Sequence, residues 1–297
     1  MNSVDEDKVI NAGLVGDLLT AILKWIVAIF SRSASMFAEA LHSSADCASG
    51  ISLKIGLHRS RRPADDDHPF GTGKEMFFWA LMADLILFFL IALYAIYGGV
   101  MRILHPVEVA HYWPSMGVLA AGFVFNLYSL RIGVKESRKG NGNGVASLIR
   151  DSRAQGAKTT MIEDIVGLAG IVIAAVSITL SEYLKILDGA GSIAIGLLLA
   201  GFAIYLGRQN RELLVGKGLG KPAQRDIIGL VESMDSVKKV RKLKSMILAP
   251  NDVLVNMEIN FVDGLSTDGI EFAIDKIEHA IKERYPEVGE LYIEPES

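Results

Sequence analysis

Six long apolar stretches constrain the fold of this chain more than any other feature of its sequence. They lie at about residues 9–30, 35–57, 77–103, 114–134, 159–181 and 187–207. A helix needs roughly 20 apolar residues to cross the hydrocarbon core of a bilayer, and each stretch approaches or exceeds that length. The composition agrees, because 51% of the residues are hydrophobic, only 22% are charged and the mean hydropathy is +0.34. We therefore predict an α-helical membrane protein with six transmembrane helices.

After the last apolar stretch the chain becomes rich in charge, with 11 Lys and Arg and 15 Asp and Glu in residues 213–297. Hydrophobic periodicity there predicts helices and strands in the order helix, strand, strand, helix, strand, over residues 222–234, 237–248, 253–261, 267–285 and 288–293. Thr267 is the predicted cap of the second helix. This order fits a small α+β domain, so we expect a transmembrane domain at 1–212 and a cytoplasmic domain at 213–297.

Basic residues are distributed unequally between the loops. Ten lie in the loops at 58–76 and 135–158, and two, Arg32 and Lys185, lie in the short turns on the other side. Because basic loops stay on the cytoplasmic side, both termini and both long loops are expected there. Residues 1–8 are acidic, unlike a secretory signal or a mitochondrial presequence, so we expect a prokaryotic plasma membrane.

Charge and cysteine content argue against two other classes of protein. The net charge of −4 provides no basic surplus for binding nucleic acid. A single cysteine, Cys47, excludes an internal disulfide and any metal cluster built on several cysteines.

The second apolar stretch carries His42 and Asp46, which are four residues apart and therefore share one helical face. An imidazole and a carboxylate at this spacing can bind one divalent cation. The same spacing is also compatible with a structural hydrogen bond between helices. Spacing alone leaves both interpretations open.

The fifth stretch begins with adjacent acids, Glu163 and Asp164. Adjacent residues diverge by about 100° on a helix, so only one of the two can face the second helix fully. Alternatively, both acids lie at the membrane interface and have no function in binding. If carboxylates from this helix meet His42, the mixed nitrogen and oxygen donors suit zinc or another first-row divalent metal. Protons compete with metal for the same atoms, which is a basis for metal–proton exchange.

Four other ionisable residues lie in the first three stretches. Asp17 and Asp84 are candidates for a proton relay or for support of the metal ligands, and their position leaves this open. For Lys24 and Glu39 we expect side chains that extend toward the outer interface.

Two sequence strings resemble the cation diffusion facilitator family, in particular its zinc-transporter-9-like branch. Residues 35–46 read Ser-Met-Phe-Ala-Glu-Ala-Leu-His-Ser-Ser-Ala-Asp, and residues 67–74 read Asp-His-Pro-Phe-Gly-Thr-Gly-Lys. The resemblance covers nearly the whole chain. It implies a homodimeric exporter of zinc, or of Fe²⁺, Mn²⁺ or Co²⁺, that is driven by proton antiport. It also implies a ferredoxin-like C-terminal domain that pairs across the dimer. A protein of this family is expected not to be an enzyme and to bind no prosthetic group.

The chain departs from this family pattern in two places. Most relatives carry His-x-x-x-Asp in the fifth helix, where Glu163 and Gly167 stand here. The usual four-ligand site therefore lacks one ligand, unless Asp164, Asp84 or a water completes it. Many relatives also have a second histidine at the position of Thr72, which reduces the loop site to the two residues Asp67 and His68.

Three functions remain open on the sequence. The first is a transporter with His42, Asp46 and an acid of the fifth helix as its metal site. The second is a membrane-bound metal sensor or scaffold that does not transport, which the missing ligand favours. A channel is the third and weakest, because no loop between the spans resembles a selectivity filter.

Overall fold

The computed structural model describes residues 6–139, 155–250 and 252–296. The chain divides into two compact units. The first comprises the described residues within Met1–Arg59, Glu75–Leu148 and Gly156–Arg211, and the second those within Ser60–Lys74, Ile149–Gln155 and Glu212–Ser297. The loop that precedes the third apolar stretch thus groups with the C-terminal unit. The predicted domain boundary between residues 212 and 213 stays a prediction.

All six predicted apolar stretches are helical. The helices are α1 Glu6–Ser31, α2 Ala34–Ser60, α3 Glu75–Met82, α4 Phe89–Leu104, α5 Tyr112–Lys139, α6 Gln155–Ser181 and α7 Ile186–Val215. A π-helical segment, Ala83–Phe88, joins α3 to α4, so the third stretch is one continuous helix that contains a π-helical turn. Pro114 lies in the first turn of α5, where its missing N–H breaks no helical hydrogen bond.

Four helical stretches are long and apolar enough to cross a membrane: Glu75–Leu104, Tyr112–Ile132, Ile162–Ser181 and Ile186–Val215. Among the residues that the structure describes, α2 does not meet the same requirement, because it has a polar face that includes Glu39, His42 and Asp46. Four helices are thus candidate spans by length and composition, and six transmembrane helices stay a prediction.

The first unit is apolar on its outside and contains charge inside, the reverse of a water-soluble domain. Leu19, Ile29 and Phe30 of α1 are 59–64% exposed, and α4 and α5 present similar apolar surfaces. Lys24, Glu39, His42, Asp84 and Asp188 are buried. Exposed apolar surface of this extent suits lipid, and each buried charge requires a partner or a function.

Asp188, at the start of α7, forms hydrogen bonds with the N-terminus of α2. Its carboxylate accepts hydrogen bonds from the Ser33 hydroxyl at 2.5 Å and from the backbone N–H groups of Ala34 and Ser35 at 2.7 and 3.1 Å. Arg102 near the end of α4 places its Nε 3.0 Å from the same carboxylate. A carboxylate at a helix N-terminus satisfies free N–H groups and the helix dipole. Three helices are therefore joined by one fully buried group.

The C-terminal unit contains α8 Lys221–Glu232, β1 Val237–Ala249, β2 Asp252–Phe261, α9 Thr267–Arg284 and β3 Val288–Pro295. The central strand β2 pairs antiparallel with β1 and parallel with β3. This order of elements is the predicted one. The predicted cap at Thr267 is wrong by one residue, because Ser266 accepts the hydrogen bond from the Gly269 N–H at 3.2 Å and Thr267 is already helical.

We predict that Asp188→Ala lowers the melting temperature of the purified protein in detergent. The substitution leaves a buried hydroxyl, two N–H groups and a guanidinium without their acceptor. Each neutral group costs about 1–3 kcal/mol when it is left unsatisfied, and the charged group costs more. Thermal unfolding followed by intrinsic fluorescence measures the change. Glu182→Ala, at an exposed position near the end of α6, is the matched control. Equal melting temperatures for the two variants would show that the Asp188 network contributes nothing.

Candidate metal and proton site

The polar face of α2 lies directly against two glycines of α6. A methyl group added to Gly170 would overlap Oε1 of Glu39 and would lie 3.7 Å from Nδ1 of His42. A methyl group added to Gly167 would lie 3.8 Å from Cε1 of His42. Since glycine has no Cβ, the buried carboxylate and imidazole can pack against the α6 backbone.

The structure brings His42 and Asp46 together on the inner face of α2. Nε2 of His42 lies 3.4 Å from Oδ1 of Asp46. The His42 side chain is 2% exposed and that of Asp46 is 30% exposed, so the pair reaches from the packed interior to a more open region. A nitrogen and an oxygen donor thus converge at the predicted position.

The contacts between α2 and α6 run antiparallel, from Glu39 at Gly170 to His42 at Gly167. If this spacing continues for one further turn, we expect Asp46 at the level of Glu163. Asp164 points elsewhere, because its Oδ2 accepts a hydrogen bond of 2.9 Å from the Ser129 hydroxyl of α5. The two adjacent acids therefore diverge, as neighbours on a helix must.

Several carboxylates lie in the first unit away from full solvent exposure. Asp84 is buried, and Asp17, Asp46, Glu163 and Asp164 are half-buried. Like charges repel strongly where water is scarce, so acids in such surroundings favour the binding of cations or protons.

The described residues contain no ready-made group of three or more His, Cys, Asp or Glu side chains at metal-binding distances. His42 and Asp46, 3.4 Å apart, form a pair. The ligand set His42, Asp46, Glu163 and Asp164 therefore stays a prediction.

Asp84 lies in the π-helical segment and is buried. Nδ2 of Asn210 in α7 donates a hydrogen bond of 2.6 Å to its Oδ2. π-Helical turns are frequent at functional sites, which is consistent with a role in proton transfer or ligand support. Nothing in the sequence pattern indicated the partner, because Asn210 lies beyond the predicted end of its apolar stretch.

Lys24 and Glu39 do not extend to the outer interface, and this expectation is wrong. Nζ of Lys24 donates a hydrogen bond of 2.8 Å to Oε2 of Glu39, and the two side chains are 4% and 0% exposed. Oε1 of Glu39 lies 4.0 Å from Nδ1 of His42. The pair joins α1 to α2 and lies directly behind the imidazole. Periodicity indicated neither burial nor partner, because both depend on how α1 packs against α2.

The predicted loop pair, Asp67 and His68, is exposed. His68 turns to a different acid, since its backbone N–H and Nδ1 lie 2.6 and 3.0 Å from Oδ1 of Asp65. These hydrogen bonds lower the pKa of Asp65. The loop metal site stays a prediction, with Asp65 as an acid that the sequence did not single out.

Comparison with known proteins identifies a family for this arrangement. Residues 10–215 match the cation efflux transmembrane domain. The chain is 27% identical over 260 residues to the human proton-coupled zinc antiporter SLC30A9, mitochondrial, which covers 86% of this chain and 46% of that protein. It is 29% identical to metal tolerance protein C4 of Arabidopsis thaliana, covering 88% and 58%, and 20% identical to the manganese efflux system protein MneP of Bacillus subtilis, covering 80% and 78%. The chain thus spans about half the length of the human and plant relatives.

We predict that Lys24→Met and Glu39→Gln each destabilise the protein more than the double substitution does. Removing one partner of a buried ion pair leaves an uncompensated charge and costs about 3–5 kcal/mol, whereas replacing both partners can be nearly neutral. A double-mutant cycle on melting temperatures in detergent measures this coupling. Additive effects of the two substitutions, or single variants that melt like the wild type, would contradict the ion pair.

Proposed function

The chain belongs to the cation efflux family, also called the cation diffusion facilitators, and we propose that it exports divalent transition-metal cations, zinc first, in exchange for protons. The proposal depends mainly on one observation. An imidazole and a carboxylate, His42 and Asp46, lie 3.4 Å apart in an apolar helical unit, on a helix that packs against glycines of α6.

The proposed site binds metal through His42 Nε2, Asp46 and one of the α6 acids, Glu163 or Asp164. Metal binding requires a neutral imidazole and ionised carboxylates, so each proton that binds to these atoms displaces metal. Asp84 and Asp17 stand among the same acids and are the proposed relay or supporting groups. Competition between metal and protons for one set of atoms is the basis of antiport in this proposal.

Zinc is the first choice of cargo, because it accepts mixed imidazole and carboxylate ligands in a tetrahedral site. Fe²⁺, Mn²⁺ and Co²⁺ remain alternatives, since geometry and ligand type decide among first-row metals. The similar proteins include both a zinc antiporter and a manganese efflux protein, which supports a divalent metal without choosing between the two.

Architecture and location are also part of the proposal. We propose six spans, since α1 and α2 have 26 and 27 residues and about 20 suffice to cross a bilayer. The basic loops favour cytoplasmic termini, with a cytoplasmic C-terminal domain of ferredoxin-like type at 213–297 that pairs in a homodimer. The prokaryotic plasma membrane is the proposed location. The bacterial relative from Bacillus subtilis, of which the chain covers 78%, supports this choice.

Flux into proteoliposomes tests this function. We predict saturable uptake of Zn²⁺, detected by an enclosed fluorescent indicator and accelerated when the vesicle interior is more acidic than the outside. His42→Ala and Asp46→Ala should lower the uptake rate by about tenfold or more, because even indirect partners of metal ligands are worth roughly 10–100-fold in affinity. Glu182→Ala, remote from the site in an exposed turn, should transport like the wild type.

Two results would overturn parts of the proposal separately. If both α2 variants transport like the wild type, the transporter remains and the assigned site is wrong. If the wild type binds Zn²⁺ but transports none of the four ions Zn²⁺, Fe²⁺, Mn²⁺ and Co²⁺, the protein is a metal sensor or scaffold. The observation that favours this second function is that the described residues contain no ready-made group of three or more metal-binding side chains.

A further inference from the structure

The α6 backbone beside His42 carries no side chain, because Gly167 occupies that position. A neighbouring helix fills the space. A methyl group added to Gly167 would overlap Nδ2 of Asn126 in α5, and the same methyl would lie 3.8 Å from Cε1 of His42. The amide and the imidazole therefore lie around the same point in the bundle.

The position of Asn126 follows from how α5 packs against α6. Gly122 faces Ile171, Asn126 faces Gly167 and Ser129 hydrogen-bonds to Asp164. These contacts run antiparallel at regular helical spacing, so Asn126 belongs to a continuous inner face of α5. Its side chain is held over the gap by the packing of two whole helices.

The Asn126 side chain is half-buried, and its amide has no hydrogen-bond partner within the described part of the chain. An amide without a partner is free to bind a ligand that enters the bundle. Its carbonyl oxygen is a good donor to a divalent cation, and a half turn about the Cβ–Cγ bond exchanges the oxygen with the nitrogen. The residue is thus available to a ligand that needs an oxygen donor near His42.

We propose that Asn126 is a ligand of the transported cation and supplies, from α5, the oxygen that a side chain at 167 would otherwise provide. This inference rests on the proposed function. It assigns the site to three helices, with His42 and Asp46 from α2, an acid from α6 and the amide from α5. It explains why an α6 helix with glycine at position 167 is compatible with cation binding.

Calorimetric titration of the purified full chain in detergent with Zn²⁺ tests the assignment. Asn126→Leu keeps the branching and the number of non-hydrogen atoms of the side chain and removes the oxygen, so the affinity for Zn²⁺ should fall by about tenfold or more. Asn126→Asp keeps an oxygen donor and should bind at least as tightly as the wild type. Tyr128→Phe removes a polar group from the exposed face of the same helix and should leave binding unchanged.

A reciprocal exchange makes the test independent of simple packing. Gly167→Asp alone places a carboxylate where Asn126 stands and should lower the melting temperature. In the double variant Asn126→Ala/Gly167→Asp the carboxylate takes the vacated space, so Zn²⁺ affinity should recover relative to Asn126→Ala. Wild-type affinity in Asn126→Leu, or loss of binding in a folded Asn126→Asp, would overturn the role of Asn126 alone. Absence of Zn²⁺ binding by the wild type would overturn the proposed function together with it.

Discussion

The close packing of α2 against α6 is the constraint on which the rest of the membrane unit depends. Two glycines, Gly167 and Gly170, allow Glu39 and His42 to lie against a helix backbone with no side chain between them. Larger residues there would push the second helix outward and separate Asp46 from the level of Glu163. The candidate site therefore depends on the absence of side chains at Gly167 and Gly170 as much as on the charged groups of α2.

Buried charges in this unit fall into two groups with different physical consequences. Asp188 has four polar partners and Lys24 pairs with Glu39, so these charges are largely compensated and join helices rigidly. The acids near His42 have fewer partners: within the described residues, Asp46 contacts the His42 imidazole and Asp164 accepts one hydrogen bond, from Ser129. Compensated pairs suit a fixed scaffold, while uncompensated acids suit an exchangeable cation. A scaffold that holds the N-terminal end of α2 while the acids stay available fits the proposed role, in which a cation must bind and leave.

Much of this organisation was predictable from the sequence, and the failures have a common physical cause. Helices and the α+β order follow from local periodicity, and the His42–Asp46 pair follows from spacing on one helix. The Lys24–Glu39 pair and the position of Asn126 depend on contacts between helices, which periodicity does not encode. An apolar stretch with one lysine has the same sequence pattern whether that lysine faces lipid or a carboxylate on the adjacent helix.

The most direct test is anomalous scattering from crystals soaked in Zn²⁺, which reports the element, the ligands and their number together. We predict a zinc peak in the membrane unit at about 2.0–2.2 Å from His42 Nε2 and a carboxylate oxygen of Asp46, the distances typical of such ligands. Zinc bound only elsewhere in the chain, with His42 and Asp46 free of metal at saturating concentration, would contradict it.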